Sequence, residues 1–275
     1  MSLRFQLPLA LATLLVLSTP ALADPRPEGD VIGSVSQYTV AAGDTLSDIA
    51  RRNEVGLTEL LAANPDVSST TIHPGLTLTV PGRHLLPAGA RTGIIVNLAE
   101  LRLFHFNADG TVQSAPISVG REGWDTPTGP TKVVEKRKDP TWTVPDSIRA
   151  ENPKLPKVMP PGPDNPLGQF ALNLGWPGYL IHGTNNPSSV GKPSSHGCIR
   201  LYPEDIAALF NATLVGEQVT VIDAPITLGQ DQGTLYLQVT PTREQATQIV
   251  NFSDAKALDD GDEPPSPVHR RRQGA

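Results

Sequence analysis

Eight of the 27 residues between Pro140 and Pro166 are proline. Proline fixes φ and lacks a backbone N–H, so neither a regular helix nor a central strand is expected through this stretch. The chain must therefore build its core from the segments on either side. An irregular run of this length inside a domain suits the lid or wall of a cleft, with a passive surface loop as the alternative.

The flanking segments are patterned mainly for strands. Ile94-Ile95-Val96 is an apolar run, Leu101 to Phe106 alternates, and Asn107-Ala108-Asp109-Gly110 is a turn signal leading to Val112. Gly120 to Pro130 reads as loop. Beyond the prolines, Tyr179-Leu180-Ile181 reads as a buried strand with His182 at its end, and Gln218 to Ile222 as another strand. Pro203 to Phe210 has helical spacing, with proline in the first turn. After Asp223 the signal thins. Leu235, Leu237 and Val239 alternate, and residues 242 to 251 are a candidate helix. The fold class expected is α+β, mainly β.

The N-terminus reads as a secretory signal over residues 1–23. Arg4 is followed by an apolar stretch from Leu9 to Leu17 and the small-residue pattern Ala21-Leu22-Ala23. That stretch is too short to span a bilayer, so no transmembrane anchor is expected after cleavage. Removing Arg4 from 22 basic residues leaves 21 against 28 acidic ones, a formal charge of −7. Such a balance argues against nucleic acid or an anionic membrane as the main partner. The tail, residues 253–275, is polar, ends His269-Arg270-Arg271-Arg272, and is expected to be disordered.

Residues 37–82 form a compact block. Gln37 to Val40 reads as a strand, and Asp44 as the cap of a helix starting at Thr45, with Leu46, Ile49 and Ala50 on one face. A second helix, Leu57 to Ala63, stops at Asn64-Pro65, and Thr77 to Pro81 reads as a closing strand. This βααβ unit resembles a LysM module through Tyr38-Thr39-Val40, Gly43-Asp44-Thr45-Leu46, Ile49-Ala50, Leu60, Ala63-Asn64-Pro65, Leu76 and Leu78. The resemblance implies binding of N-acetylglucosamine-containing glycans at Gly43, Asp44, Thr45, Asn64 and Pro65. For Asp44 and Pro65, a helix cap and a helix stop are the alternatives. Residues 83–91, with Pro87 and Gly89, read as a linker.

Cys198 is the one cysteine in the chain, so no disulfide framework is available to it. It sits in Ser195-His196-Gly197-Cys198-Ile199-Arg200, downstream of His182-Gly183-Thr184. A thiol attacks an amide as thiolate, so it needs a base and donors for the oxyanion. His182 and His196 are the candidate bases, His196 from the same segment and His182 from an adjacent strand. Backbone N–H groups around Gly197 are candidate donors, and the planar fork of Arg200 suits a carboxylate. Three other readings stand beside this one: a zinc site from His182, His196 and Cys198, an inert buried cysteine, and a His/Cys/Asp triad. No acid lies between His182 and Cys198, so a backbone carbonyl is the candidate orienting group for the histidine.

His182-Gly183-Thr184-Asn185-Asn186-Pro187, Val190-Gly191 and Ser195 to Leu201 together resemble the YkuD-type L,D-transpeptidase catalytic domain. Val119-Gly120, Thr126-Pro127-Thr128-Gly129 and the run Pro160 to Gly168 resemble it too, most closely its periplasmic, LysM-bearing, lipoprotein-anchoring branch from Gram-negative bacteria. The resemblance spans roughly residues 92–223, leaving 224–252 as a C-terminal extension. It implies acyl transfer on peptidoglycan without a metal or organic cofactor. By the same resemblance Cys198 is the nucleophile and His182 the proton shuttle. His196 and Ser195 shape the site, Gly197 and the Cys198 amide supply the oxyanion hole, and Ser195, Arg200, Gly183 and Thr184 lie along the substrate. The acceptor implied is the C-terminal lysine of an outer-membrane lipoprotein. A diaminopimelate amine (3→3 cross-linking), a free D-amino acid, water (hydrolysis) and a non-catalytic wall-binding role remain as alternatives.

Overall fold

The computed structural model describes residues 29–254. The expected signal segment and all but Ser253 and Asp254 of the expected tail lie outside the described residues. No helix among those described is long and apolar enough to cross a membrane.

The N-terminal unit is a strand, two short helices and a strand. β1 (Val31–Thr39) pairs antiparallel with β2 (Thr77–Leu85) along its whole length, around α1 (Leu46–Arg52) and α2 (Leu57–Ala62). The two strands run further than their apolar patterning suggests, and β2 takes in the first residues of the expected linker. Ile49, Leu60 and Leu78 are fully buried in the small core of this unit. The cap of α1 is Thr45 rather than Asp44. The Thr45 hydroxyl accepts the Asp48 N–H at 3.1 Å, while the Asp44 carboxylate accepts from the Ala41 N–H and the Tyr38 hydroxyl, each at 2.8 Å, and pairs with Arg52.

The second unit is built on an eight-stranded sheet. In chain order it contains β3 (Gly93–Asn97), β4 (Arg102–Phe106), β5 (Val112–Pro116), β6 (Val119–Gly120), β7 (Gly129–Lys138), β8 (Trp142–Thr143), α3 (Asp146–Glu151), β9 (Val158–Met159), β10 (Phe170–Leu174), β11 (Leu180–His182), β12 (Pro193–Ser195), β13 (Ile199–Arg200), α4 (Pro203–Ala212) and β14 (Gln218–Ile222). The sheet order is β13-β11-β10-β7-β14-β3-β4-β5, with β11/β13 and β14/β3 parallel. β4 is buried at all five positions, although its sequence alternates. Leu103 faces one core, with Ile206 and Leu209 of α4, while Phe104 and Phe106 join a second core with Ile32 and Leu86 from the first unit. The first unit covers the sheet face that would otherwise meet water.

The proline-rich run holds no central strand, as expected, but it does contain a helix. α3 occupies the proline-free stretch after Pro145, flanked by the two-residue ladder of β8 and β9. The Asn165 side-chain amide ties the run together through the carbonyls of Pro140, Met159 and Pro160 at 2.9, 3.4 and 3.1 Å.

Past Ile222 come β15 (Ile226–Asp231), β16 (Thr234–Val239) and α5 (Arg243–Asp254). Gln238 accepts the Leu85 N–H at 2.8 Å, and the Gln230 N–H donates to Asp30 at 2.7 Å, so the hairpin is fastened to the first unit. Ile249 of α5 packs on the core of that unit. Between the units, Arg51 grips Glu204 of α4 through two 2.7 Å bonds, and the Thr58 N–H donates to Gly191 at 3.0 Å.

Candidate active site

His182 and Cys198 reach one cleft from neighbouring strands. β11 and β13 run parallel with Ile181 opposite Ile199 and His182 opposite Arg200. Side chains alternate along a strand, so His182 at the end of β11 and Cys198 just before β13 fall on the same face. Both line a cleft of about 750 Å³, together with Arg200, His196, Trp124, Tyr179 and, from the proline-rich run, Trp142, Ile148 and Met159. The roof of the cleft is the run that prolines keep irregular.

His182 is 3% exposed, and its Nδ1 lies 2.6 Å from the Gly183 carbonyl. A carbonyl only accepts, so Nδ1 carries the proton and the lone pair of the neutral ring lies on Nε2, with the Leu167 backbone as a second polar neighbour of the ring. A backbone carbonyl thus orients this histidine. Burial, then the nearby Arg200 charge, lower its pKa to about 3, so the ring is neutral at neutral pH. The Cys198 thiol is half-buried, and burial pushes its pKa up, against smaller opposing effects from the Leu180 backbone and Arg200. The resting pair is thiol and neutral imidazole.

The loop before β13 is held from beneath. Ser195 is fully buried, its hydroxyl donating to the Cys198 carbonyl at 2.5 Å and accepting the Gly197 N–H at 3.1 Å. Gly197 has φ +98°, and a Cβ there would come within 3.1 Å of the Tyr179 ring and 3.3 Å of the Asp125 carbonyl. A side chain at that position would be strained and crowded. The Gly197 carbonyl accepts from Thr126 at 2.8 Å.

These contacts correct several expectations. The Gly197 amide is committed to the Ser195 hydroxyl. Ser195, Gly183 and Thr184 are buried behind the cleft wall instead of lining it. Thr184 closes a local turn by accepting the Asn186 N–H at 3.0 Å. His196 lines the cleft, but its Nε2 is turned to Glu151, 2.9 Å away. The zinc reading needed His182, His196 and Cys198 to converge, and no three His, Cys, Asp or Glu side chains among the described residues form such a group. Arg200 does reach the cleft. Its Nε is buried without a hydrogen-bond partner, and its bond to the Ser194 carbonyl is long at 3.5 Å. That fork has capacity left for a carboxylate.

In the first unit, Gly43, Thr45 and Pro65 are exposed. Asn64 spends its side chain on its own fold, donating to Leu60 and Thr79 carbonyls at 2.7 and 2.8 Å and accepting the Thr79 N–H at 2.9 Å. Asp44 is likewise committed, and its bond from Arg52 helps hold its pKa at about 2.

Sequence reading missed Glu151, Arg121, Trp124 and Tyr179. Glu151 lies 45 residues from His196 and carries no motif. A charged and aromatic loop at Arg121-Glu122-Gly123-Trp124 was the one available hint.

A mainly β domain whose cleft presents one thiol and one neutral imidazole from adjacent strands is equipped for acyl chemistry. The family profile described as the YkuD L,D-transpeptidase catalytic domain matches residues 91–221, and that of the LysM domain matches residues 38–81. The probable L,D-transpeptidase YcfS of Escherichia coli K12 is 39% identical over 229 residues, covering 78% of this chain and 72% of the relative. The probable L,D-transpeptidase YbiS of the same strain is 37% identical over 249 residues, 85% of this chain and 81% of the relative. The putative L,D-transpeptidase YkuD of Bacillus licheniformis is 31% identical over 185 residues, 67% of this chain and 97% of the relative. The chain belongs to the YkuD-type L,D-transpeptidase family and carries a LysM domain; it is an L,D-transpeptidase.

Proposed function

We propose that the protein works in the periplasm on peptidoglycan, with Cys198 forming a thioester on the stem peptide. The observation that carries this reading is the placing of Cys198 and a neutral, carbonyl-oriented His182 in one cleft with the under-bonded guanidinium of Arg200. As Sγ attacks the carbonyl at the L-centre of diaminopimelate, its proton passes to His182 Nε2. The Cys198 amide donates to the oxyanion. The tetrahedral intermediate collapses with cleavage of the amide bond, and the departing D-alanine amine takes the proton from His182. A neutral acceptor amine then attacks the thioester, and its proton returns through His182 to the cysteine sulfur. Arg200 holds a substrate carboxylate.

The acceptor proposed is the C-terminal lysine amine of an outer-membrane lipoprotein. This rests on the likeness of the Pro160 to Gly168 run to the lipoprotein-anchoring branch. The LysM domain, through backbone and exposed groups around Gly43, Thr45 and Pro65, keeps the enzyme on glycan strands and so raises the local concentration of stems. A secretory signal over residues 1–23 brings the chain to that compartment.

The test incubates the mature protein with disaccharide-tetrapeptide, with and without a lysine-ended peptide, and reads products by mass spectrometry beside Cys198→Ala. Loss of D-alanine with a new bond to the lysine peptide, absent in the variant, is the expected result. Dimers linked 3→3 would move the acceptor to diaminopimelate. Tripeptide alone would make the protein a hydrolase, and no turnover with glycan binding retained would make it a binder.

A further inference from the structure

Building on the acyl-transfer reading of the cleft, we propose that Glu151 is a positioning residue that latches the proline-rich lid over Cys198 by gathering His196, Arg121 and Trp124 from the opposite wall. α3 buries none of its residues fully and half-buries one apolar side chain, Ile148, so little apolar docking holds it down. Its C-terminal residue does the holding instead. Glu151 Oε2 accepts from Arg121 at 2.7 Å and from His196 Nε2 at 2.9 Å, and Oε1 accepts from the Trp124 indole at 3.1 Å. His196, then Arg121, hold this carboxyl below the usual carboxylate range, which favours the charged form that accepts all three bonds.

The three donors form one rigid group against the nucleophile loop. The Trp124 and His196 rings meet edge to face at 4.8 Å, and the Arg121 guanidinium lies 5.9 Å from the centre of the Trp124 ring. The Asp125 carbonyl packs on Gly197, and Thr126 bonds the Gly197 carbonyl. Gripping this group therefore fixes α3 relative to Cys198. It also fixes the His196 ring, which turns its Nε2 to the rim of the cleft.

The two ends of the lid are held differently. At the base, the Asn165 side chain is 1% exposed and bound to three carbonyls. At the tip, the Glu151 and Arg121 side chains are 42% and 39% exposed. Water-accessible ion pairs are weak and screened by salt. A lid with a buried hinge and a solvated tip opens at the tip, which is what a cleft admitting two large reactants in turn requires.

The test uses the full mature chain, in which Cys198 is the one thiol, so each alkylating reagent reports a single site. Labelling rates are measured with iodoacetamide, which is small, and with a maleimide carrying a polyethylene glycol chain, which needs an open lid. Glu151→Gln and Arg121→Gln are each expected to raise the bulky rate by about 3- to 10-fold, as loss of a solvated ion-pair cluster allows. The iodoacetamide rate should change by less than about 2-fold, and Glu151→Asp should restore part of the wild-type bulky rate. Salt at 1 M, about the strength at which screening falls to atomic range, should open the wild type and leave Glu151→Gln unaffected. Equal bulky rates in wild type and Glu151→Gln would overturn the latch. So would equal acceleration of both reagents, because that signals disorder of the cysteine loop. D-alanine release from disaccharide-tetrapeptide is followed in parallel. Its absence in the wild type would sink the acyl-transfer reading, while the labelling ratio alone still decides the latch.

Discussion

Replacing Ser195 with alanine tests how far the nucleophile depends on a buried brace. The hydroxyl makes two bonds within its own loop, to the Cys198 carbonyl at 2.5 Å and from the Gly197 N–H at 3.1 Å, at a position with no solvent exposure. Alanine leaves both backbone groups buried without this partner. Each such group costs about 1–3 kcal/mol, and partial relaxation of one loop sets the sum at about 2–4 kcal/mol. The three tryptophans, at 124, 142 and 176, all lie in the catalytic unit, so their fluorescence in urea reports its unfolding. With a urea dependence of about 3 kcal/mol per molar, the midpoint should fall by about 0.7–1.3 M with unchanged slope. The same loss loosens Cys198 relative to His182. D-alanine release should therefore slow by about 10- to 100-fold in kcat with little change in KM. A midpoint within about 0.2 M of wild type together with normal kcat would refute the bracing role.

Gly191→Ala should undock the LysM unit. Gly191 has φ +80°, and a Cβ there would lie 2.2 Å from the Leu57 amide nitrogen, a backbone atom that cannot rotate aside. Hydrogen exchange at the Thr58 N–H, which donates to Gly191, should accelerate; wild-type protection there would contradict the crowding argument. Asp205→Asn should stabilise the protein at pH 8. Burial, then Glu204 and Glu54, raise the Asp205 pKa to about 7, above its unfolded value of 3.8. The unfolded chain gives up this proton first, so the cost to stability grows from about pH 4 to pH 7, is full above pH 7, and is gone below about pH 4. A gain of about 1–3 kcal/mol in urea unfolding at pH 8, absent at pH 4, is expected; equal gains at both would remove titration as the cause. His182→Gln should slow D-alanine release by at least about 100-fold. In the wild type, the ring should show no titration near pH 6.5 by NMR, since burial keeps it neutral down to about pH 3. A His182 transition near 6.5 would contradict the buried, neutral base.

The site's chemistry was legible because it is local. His182 and the Ser195 to Arg200 segment carry the proposed chemistry, and the pairing of β11 with β13 brings them together as an adjacent strand had to. The two short helices of the first unit were legible through their apolar spacing, and β14 through its apolar alternation. Where the reading failed, a side chain had two possible partners. Asp44 looks like a helix cap by position, but Arg52, one helical segment away, takes its carboxylate. Gly197 looks like an oxyanion donor until the Ser195 hydroxyl is seen to take its N–H. β4 alternates in sequence yet is buried on both faces, because a separate unit covers the second face.

By itself the sequence determined the βααβ unit, the β-rich class of the larger domain, the proline-interrupted roof and the thiol and histidine proposed to act together. These follow from periodicity, turn chemistry and proline's missing N–H, all of which act over a few residues. Tertiary structure alone decided that Glu151 meets His196 across 45 residues of chain, that Asn165 pins the roof, and that the last hairpin and helix fasten the LysM unit to the sheet. Such contacts depend on where whole elements come to rest. A lone carboxylate or amide carries no periodic signal of the partner that folding will bring to it.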